Sequence, residues 1–356
     1  MTATAAPPPW VGGRVFIIAE AGSNWRAGTP ERDLERAVAL IDAAAAAGAD
    51  AVKFQTYRAD TLYAPGAGES DYLAAAGIRA PIATILEDLE MPYEMLPQLA
   101  ARSRERGVAF MSTPFSERDF DAVDPHVAVH KIASYELSHI RLLERAGRSG
   151  KPLVLSTGAS SEDDVAWAVE TFRSAGGRQL LLMQCTARYP APLDSLNLRA
   201  IARLAERFGV PVGLSDHSRD PVLGPVAAVA LGARAIEKHF TLDNRLPGPD
   251  HAFAVTPPEL ALLVRGVRDA EAARGDGEKR VLEAEQELHR FARRGLHATR
   301  DIRRGEVLRE GENVAILRPG KQRPGLHPRH LPELEGRTAR RDIACGEGIG
   351  RDDFVS

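Results

Sequence analysis

Residues 15–22, VFIIAEAG, and 30–48, PERDLERAVALIDAAAAAG, form the unit on which the fold turns. The first is a short apolar run, rich in β-branched residues and ending at glycine, as a buried strand reads. The second opens with Pro30, repeats its apolar positions at helical spacing and closes at Gly48, the residue expected past a helix C-terminus. The same pair recurs along the chain. Further strand candidates are AVKFQT (51–56), VAFMSTPF (108–115), VAVHKIAS (127–134), PLVLSTG (152–158), LLLMQCT (180–186), VPVGLSDHS (210–218) and RAIEKHFT (234–241). Helical patterns lie between them, as at 161–176 and 198–209. Eight strands each followed by a helix over some 250 residues predict an α/β chain folded as a (β/α)8 TIM barrel. An open doubly wound sheet would carry a Gly-rich dinucleotide turn after its first strand, and AEAGSNW (19–25) is not one.

The chain's 356 residues leave room for such a barrel and a second, smaller domain. With 44% hydrophobic and 27% charged residues it reads as globular. A net charge of −3 gives no reason to expect a nucleic-acid or membrane surface. No apolar stretch reaches the roughly 18 residues of a membrane helix; the longest, 37–52, is broken by Asp42 and Asp50. Cys185 and Cys345 cannot build a disulfide framework, so a cytoplasmic location is expected. Residues 1–13, Pro/Ala-rich and without a signal-peptide pattern, read as a disordered tail ahead of a barrel at 14–275. Between the second strand and a helix near Pro92 lie about 35 residues that include Tyr57, Tyr63 and Tyr72, long enough to act as a lid over the barrel mouth. The stretch 276–291, with Glu278, Glu283, Glu285 and Glu287, reads as a polar helical linker. Residues 292–356 then switch to short Gly/Pro-punctuated runs, and 298–306 (ATRDIRRGE) resembles 339–347 (ARRDIACGE). Two copies in so short a span predict a small, pseudo-symmetric β domain.

A barrel places its active site at the C-terminal ends of its strands. All eight ends carry polar groups: Glu20; Lys53 and Gln55; Ser112 and Thr113; Lys131 and Ser134; Ser156 and Thr157; Cys185 and Thr186; Ser215, Asp216 and His217; Glu237, Lys238 and His239. Lysine is scarce here, six among 46 basic residues, and three of the six fall in this set. Strand alternation puts Lys53 with Gln55 and Glu237 with His239 on one face, and turns Lys238 outward. Two ammonium groups among hydroxyls suit an anionic phosphate or carboxylate. His217 and His239, at the ends of neighbouring strands with Glu20, Glu237 and Asp250 nearby, suit a divalent metal with open positions.

The runs IIAEAGSNW, DAVKFQTY, FMSTPF, HKIASYE, LSTGAS, CTARYPAPLDSLNL, GLSDHS, EKHFTLD and GPDHAF, taken in order, resemble the sialic acid (N-acetylneuraminate) synthases and their bacterial legionaminic and pseudaminic acid relatives. RRGLHATRDIRRGEVL resembles the antifreeze-like domain those synthases carry. The resemblance implies condensation of phosphoenolpyruvate with the open-chain aldehyde of an N-acetylated amino sugar, phosphate leaving by C–O cleavage. By motif, Lys53, Thr113, Lys131, Ser134 and Ser215 would hold phosphoenolpyruvate. His217 and His239 would bind Mn2+, or Mg2+ or Co2+. Glu20, Gln55, Tyr189 and Asp250 would face the sugar. Arg294 would reach a partner subunit's site across a domain-swapped homodimer. Glu20 and Glu237 are both placed to act as general base. The chain departs from the family pattern at Trp25, where histidine is usual, at Ala187-Arg188, at Gly295, and in the segment PGKQRPGLHP (319–328). Two rival readings are a Schiff-base aldolase or lyase with Lys131 or Lys238 as nucleophile, and a sugar-binding protein without catalysis.

Overall fold

The structure, a computed structural model, describes residues 8–71, 73 and 78–355. Two compact units divide the chain, one running through Gly275 and the other Asp276–Ser356.

All eight expected strands form: β1 (Phe16–Gly22), β2 (Ala51–Thr56), β3 (Ala109–Pro114), β4 (His130–Ile132), β5 (Leu153–Ser156), β6 (Leu180–Cys185), β7 (Val212–Asp216) and β8 (Ala235–His239). They pair in parallel in the order β3-β2-β1-β8-β7-β6-β5-β4, and β3 also lies beside β4, so the sheet curls into a barrel. Helices alternate with the strands. The helix Pro30–Ala47 begins where the Thr29 side chain accepts from the Arg32 N–H and ends at Gly48, whose φ of 86° is left-handed. Apolar side chains facing outward from the strands meet the helices in one large core. Inside the barrel Ile18, Met111, Val154, Leu181 and Met183 fill the interior. Trp10 joins this inner core, 2% exposed, its ring tilted at 59° against that of Phe16 at the start of β1 with centroids 6.5 Å apart. The stretch expected as a tail thus supplies a plug for the N-terminal end of the barrel; residues 1–7 lie outside the described residues. Trp25 is likewise buried in the outer core.

Strand register explains the fate of Lys238. Ser215 pairs with Glu237 and Asp216 with Lys238, and partners across a parallel ladder share a face. The first pair points into the barrel; the second points out, where the Lys238 Nζ meets Asp216 at 2.7 Å and the Asp220 carbonyl at 2.9 Å. Lys238→Met is expected to destabilise the fold by about 3–5 kcal/mol, because Asp216 stays buried without its counter-charge. Urea unfolding should show this loss, with kinetic constants per folded molecule unchanged.

The second unit holds a helix (Gln286–Ala292), lying within what reads as linker, and an antiparallel pair, β9 (Gly295–Ala298) and β10 (Val314–Leu317). The two sequence copies bond reciprocally. Ile302 and Ile343 exchange both backbone hydrogen bonds at 2.8 Å. The Gly305 N–H donates to Ala339 O and the Gly346 N–H to Ala298 O, both at 2.8 Å. The Asp342 carboxylate accepts from the Arg304 N–H, and Asp301 from the equivalent Cys345 N–H. The repeat is therefore a local pseudo-twofold. Gly295 and the 319–328 segment explain one another: the Leu296 N–H donates to Leu326 O, and a Cβ on Gly295 would lie 2.8 Å from the Gly325 carbonyl. Among the described residues no helix is long and apolar enough to cross a membrane.

Candidate active site

The C-terminal ends of the strands converge on a narrow pocket of about 50 Å³. Register sets its floor: Glu20 pairs with Lys53 on one side and His239 on the other, and Gln55 pairs with Thr113. The Lys53 Nζ lies 2.5 Å from Glu20 and 3.1 Å from the Thr113 hydroxyl. Gln55 donates to Glu20 at 3.1 Å. Lys131 donates to the Ser156 hydroxyl at 2.7 Å. Glu237 accepts from Ser215 at 3.1 Å and faces both ammonium groups, Lys53 at 3.8 Å and Lys131 at 3.9 Å. Ser134 lies on the wall, its hydroxyl accepting from the Gly158 N–H at 3.0 Å.

Burial shapes the charges. Desolvation raises Glu20 to about 7, against the attraction of Lys53 and with the help of Glu237. Glu237 is as deeply buried, yet the two lysines outweigh desolvation and hold it below the usual carboxylate range. Burial lowers Lys131, whereas Lys53 is raised because Glu20 and Glu237 overcome desolvation. Two neighbouring carboxyls with opposite shifts can divide acid–base work from electrostatic work.

His217 and His239 meet at the pocket rim, ring centroids 5.5 Å apart, with Tyr189 against His217 at 4.1 Å. His217 Nδ1 bonds the Thr186 carbonyl at 2.8 Å, which orients the ring and leaves Nε2 for another partner. His239 Nδ1 is buried without a hydrogen-bond partner, 3.9 Å from Asp250 Oδ2. Desolvation and the nearby positive charges hold His239 well below its ordinary value, so it is a neutral imidazole with a lone pair to give. Cys185, the Thr186 carbonyl and Glu237 outweigh burial at His217, so the field there attracts positive charge. Among the described residues no group of three or more His, Cys, Asp or Glu side chains forms a ready-made metal cage. The donor set fits a divalent ion held by two imidazoles, with positions left for substrate oxygens.

Outside this pocket opens a cavity of about 1150 Å³ that shares Gln55, Tyr135, Tyr189 and His239 with it and adds Ser23 and Asp250. Ser23 donates to Asp250 at 3.2 Å. The long segment after β2 walls this cavity with Tyr57, Tyr63, Leu73, Ile82 and Leu86, as a covering loop does; Tyr72 lies outside the described residues. Ala187 and Arg188 also line it.

Every barrel residue expected at the site therefore borders the pocket or the cavity. Lys238 borders neither. Arg294 stands on the second unit, donating to the Ile316 carbonyl at 2.9 Å and lining a cleft with Arg290, Arg293 and His327. Sequence reasoning left Ser156, Cys185 and Tyr135 out of the site. The first two were visible as polar strand ends. Nothing in the sequence marks Tyr135, 61% exposed, as a residue bridging two cavities.

Residues 40–279 match the NeuB family and residues 293–355 the SAF domain. The chain is 43% identical over 357 residues to the spore coat polysaccharide biosynthesis protein SpsE of Bacillus subtilis, covering 96% of this chain and 94% of that protein. Its crystal structure aligns at 41% identity with a TM-score of 0.63, covering 96% of both chains. Identity to the pseudaminic acid synthase of Campylobacter jejuni (strain 81-176) is 38%, over 96% of this chain and 97% of that one. To the N,N'-diacetyllegionaminic acid synthase of Legionella pneumophila it is 36%, over 93% and 92%. The likeness to these proteins runs through nearly the whole length of both partners, and the chain belongs to the NeuB family, as a synthase-type enzyme with a C-terminal SAF domain.

Proposed function

We propose that the protein condenses phosphoenolpyruvate with the open-chain aldehyde of an N-acetylated amino sugar, giving a nonulosonic acid and phosphate. The observation that carries this reading is the pair of buried ammonium groups, Lys53 and Lys131, on either side of Glu237, opening toward two imidazoles. Lys53 and Lys131, with the hydroxyls of Thr113, Ser134 and Ser215, grip the phosphate and carboxylate of phosphoenolpyruvate. Its C3 then attacks the aldehyde carbon, leaving positive charge on C2. Glu237, kept ionised by the lysines, stabilises that charge. Glu20 accepts a proton from the water that adds at C2, and the C2–O bond to phosphate breaks. Gln55, Tyr189 and Asp250 orient the sugar. His217 and His239 would hold Mn2+, Mg2+ or Co2+, whose Lewis acidity would polarise the aldehyde oxygen. Incubating the protein with Mn2+, phosphoenolpyruvate and a panel of N-acetylated amino sugars tests the reading; sugar-dependent release of phosphate is expected. EDTA should abolish it and added Mn2+ restore it, and full activity in EDTA would remove the metal from the mechanism.

Burial of Lys131 also favours a second reading, because a lysine of lowered pKa is what a Schiff-base nucleophile needs. Borohydride trapping of pyruvate on Lys131 would establish it; no adduct is expected.

Arg294 is proposed to act in a partner's site within a swapped homodimer. Mixing the inactive variants Lys53→Met and Arg294→Ala should restore about a quarter of wild-type activity, since half of the dimers then hold one intact site. No recovery on subunit exchange would overturn its action in the partner's site, and full activity of Arg294→Ala alone would place it outside the reaction.

A further inference from the structure

Strand β5 runs out into Ser156-Thr157-Gly158, and the turn that follows is fixed from both sides. Thr157 donates to the Met183 carbonyl twice, through its N–H at 3.1 Å and its hydroxyl at 2.9 Å. The Ser160 hydroxyl donates to the Gly158 carbonyl at 3.3 Å, and Ser161 opens the helix Glu162–Ser174 with a capping box. Gly158 is buried, and its φ lies outside the left-handed region, so backbone freedom does not explain the glycine. Space does. A Cβ there would lie 2.9 Å from Ser134 Oγ, 3.0 Å from Cys185 Sγ and 3.2 Å from Ala187 Cβ, all tighter than ordinary van der Waals contact. The segments that follow β4 and end β6 thus close on a residue without a side chain, and Ser134 and Cys185 both line the narrow pocket.

This close approach bears on the anion site. The Gly158 N–H donates to Ser134 Oγ at 3.0 Å, which engages one lone pair of the hydroxyl and leaves its proton to be given elsewhere. Ser134 is hydrogen-bonded to the Cys185 thiol, and sulfur is a weak acceptor. A phosphate or carboxylate oxygen is a far stronger one, because the bond is then charge-assisted. An anion gripped by Lys53 and Lys131 therefore draws the hydroxyl proton away from sulfur, while the Gly158 N–H keeps the oxygen where it is. Holding Oγ in place beforehand spares the ordering that binding would otherwise cost.

We propose that Gly158 is a positioning residue for the phosphoenolpyruvate site: its N–H aims the Ser134 hydroxyl, and its missing side chain lets Ser134 and Cys185 close around the anion. The identity of that anion rests on the proposed condensation. In Gly158→Ala the new methyl has to displace Oγ or Sγ. KM for phosphoenolpyruvate should then rise by about 10- to 100-fold, the worth of one hydrogen bond to a charged group, while KM for the sugar stays within about twofold. Ser134→Ala should have the same effect. The double variant should bind phosphoenolpyruvate within about threefold of Ser134→Ala, because both changes act through one hydroxyl. Steady-state kinetics with each substrate varied, and calorimetric titration of phosphoenolpyruvate, give the two readouts; circular dichroism checks folding. If Gly158→Ala alone does not fold, the double variant, from which the crowded Oγ is gone, carries the comparison with Ser134→Ala. Unaltered affinity in folded Gly158→Ala, an equal rise in both KM values, losses that multiply in the double variant, or a double variant that does not fold overturns this inference and leaves the condensation standing. Wild-type protein that binds phosphoenolpyruvate but releases no phosphate with any sugar overturns the condensation, and the titrations still decide the role of Gly158. Wild-type protein that does not bind phosphoenolpyruvate overturns both.

Discussion

Lys131→Met is expected to lower kcat/KM for phosphoenolpyruvate by about a thousandfold or more, some 4 kcal/mol of transition-state stabilisation. Methionine nearly conserves the volume of the lysine stem, so the loss isolates the charge. The ammonium is fully buried, donates to Ser156 at 2.7 Å and to the Ile132 carbonyl at 3.2 Å, and faces Glu237 at 3.9 Å. Without it Glu237 keeps a single counter-charge, Lys53, in a medium where an unbalanced carboxylate is costly. The pocket then repels the anion it is built to hold. Lys131→Arg should not rescue activity, because a planar guanidinium cannot replace a compact ammonium between Ser156 and a backbone carbonyl. Steady-state kinetics with both substrates varied, alongside circular dichroism, decides the matter. Unaltered kinetics in a folded Lys131→Met variant would falsify the assignment of the anion site.

Glu20→Gln carries the second large effect. A general base contributes about a hundredfold to ten-thousandfold, and the variant should lose rate in that range while keeping the hydrogen bond that Gln55 now donates to Glu20. The diagnostic is pH. Folding raises Glu20 from the ordinary 4.5 to about 7 by burial, against the pull of Lys53. Only the carboxylate can accept a proton, so wild-type kcat/KM should climb with pH to a break near 7. The variant should lack that limb. Stability should move the other way. Between pH 4.5 and 7 the native state binds a proton at Glu20 that the unfolded chain has released, so this group's contribution to stability falls as pH rises through that window. Urea unfolding of wild type and Glu20→Gln at pH 5 and pH 8 measures the difference. An acidic limb that persists in the variant would assign the base to another group, with Glu237 next in line.

Particular residues show how far the sequence could be read. The eight strands were legible because each is a short, largely apolar and almost wholly buried run, flanked by helices whose caps, Thr29 and Gly48 among them, are written locally. The inward face of Glu237 and His239 and the outward face of Lys238 followed from alternation alone. The repeat at 298 and 339 announced a duplicated unit, and reciprocal hydrogen bonds are its physical counterpart. Trp10 was not legible. Its neighbours are Pro, Val and Gly, a composition without periodicity, and only contact with Phe16 at the foot of the barrel orders it.

Sequence by itself therefore determined the barrel, its order of strands and the set of polar side chains at its mouth, since those depend on periodicity, capping and spacing within short windows. Tertiary structure decided what those side chains are. The same residue type, glutamate, is lifted at position 20, where desolvation outweighs the pull of Lys53, and lowered at position 237, where Lys131 and Lys53 together outweigh desolvation. It also decided what lines the cavity over the barrel mouth. Ile85 and Leu86 lie in a segment far from the strand ends in sequence, and only closure of the chain over the mouth brings them to the cavity. Local patterns fix elements; charge and specificity depend on distances between residues that the chain itself keeps far apart.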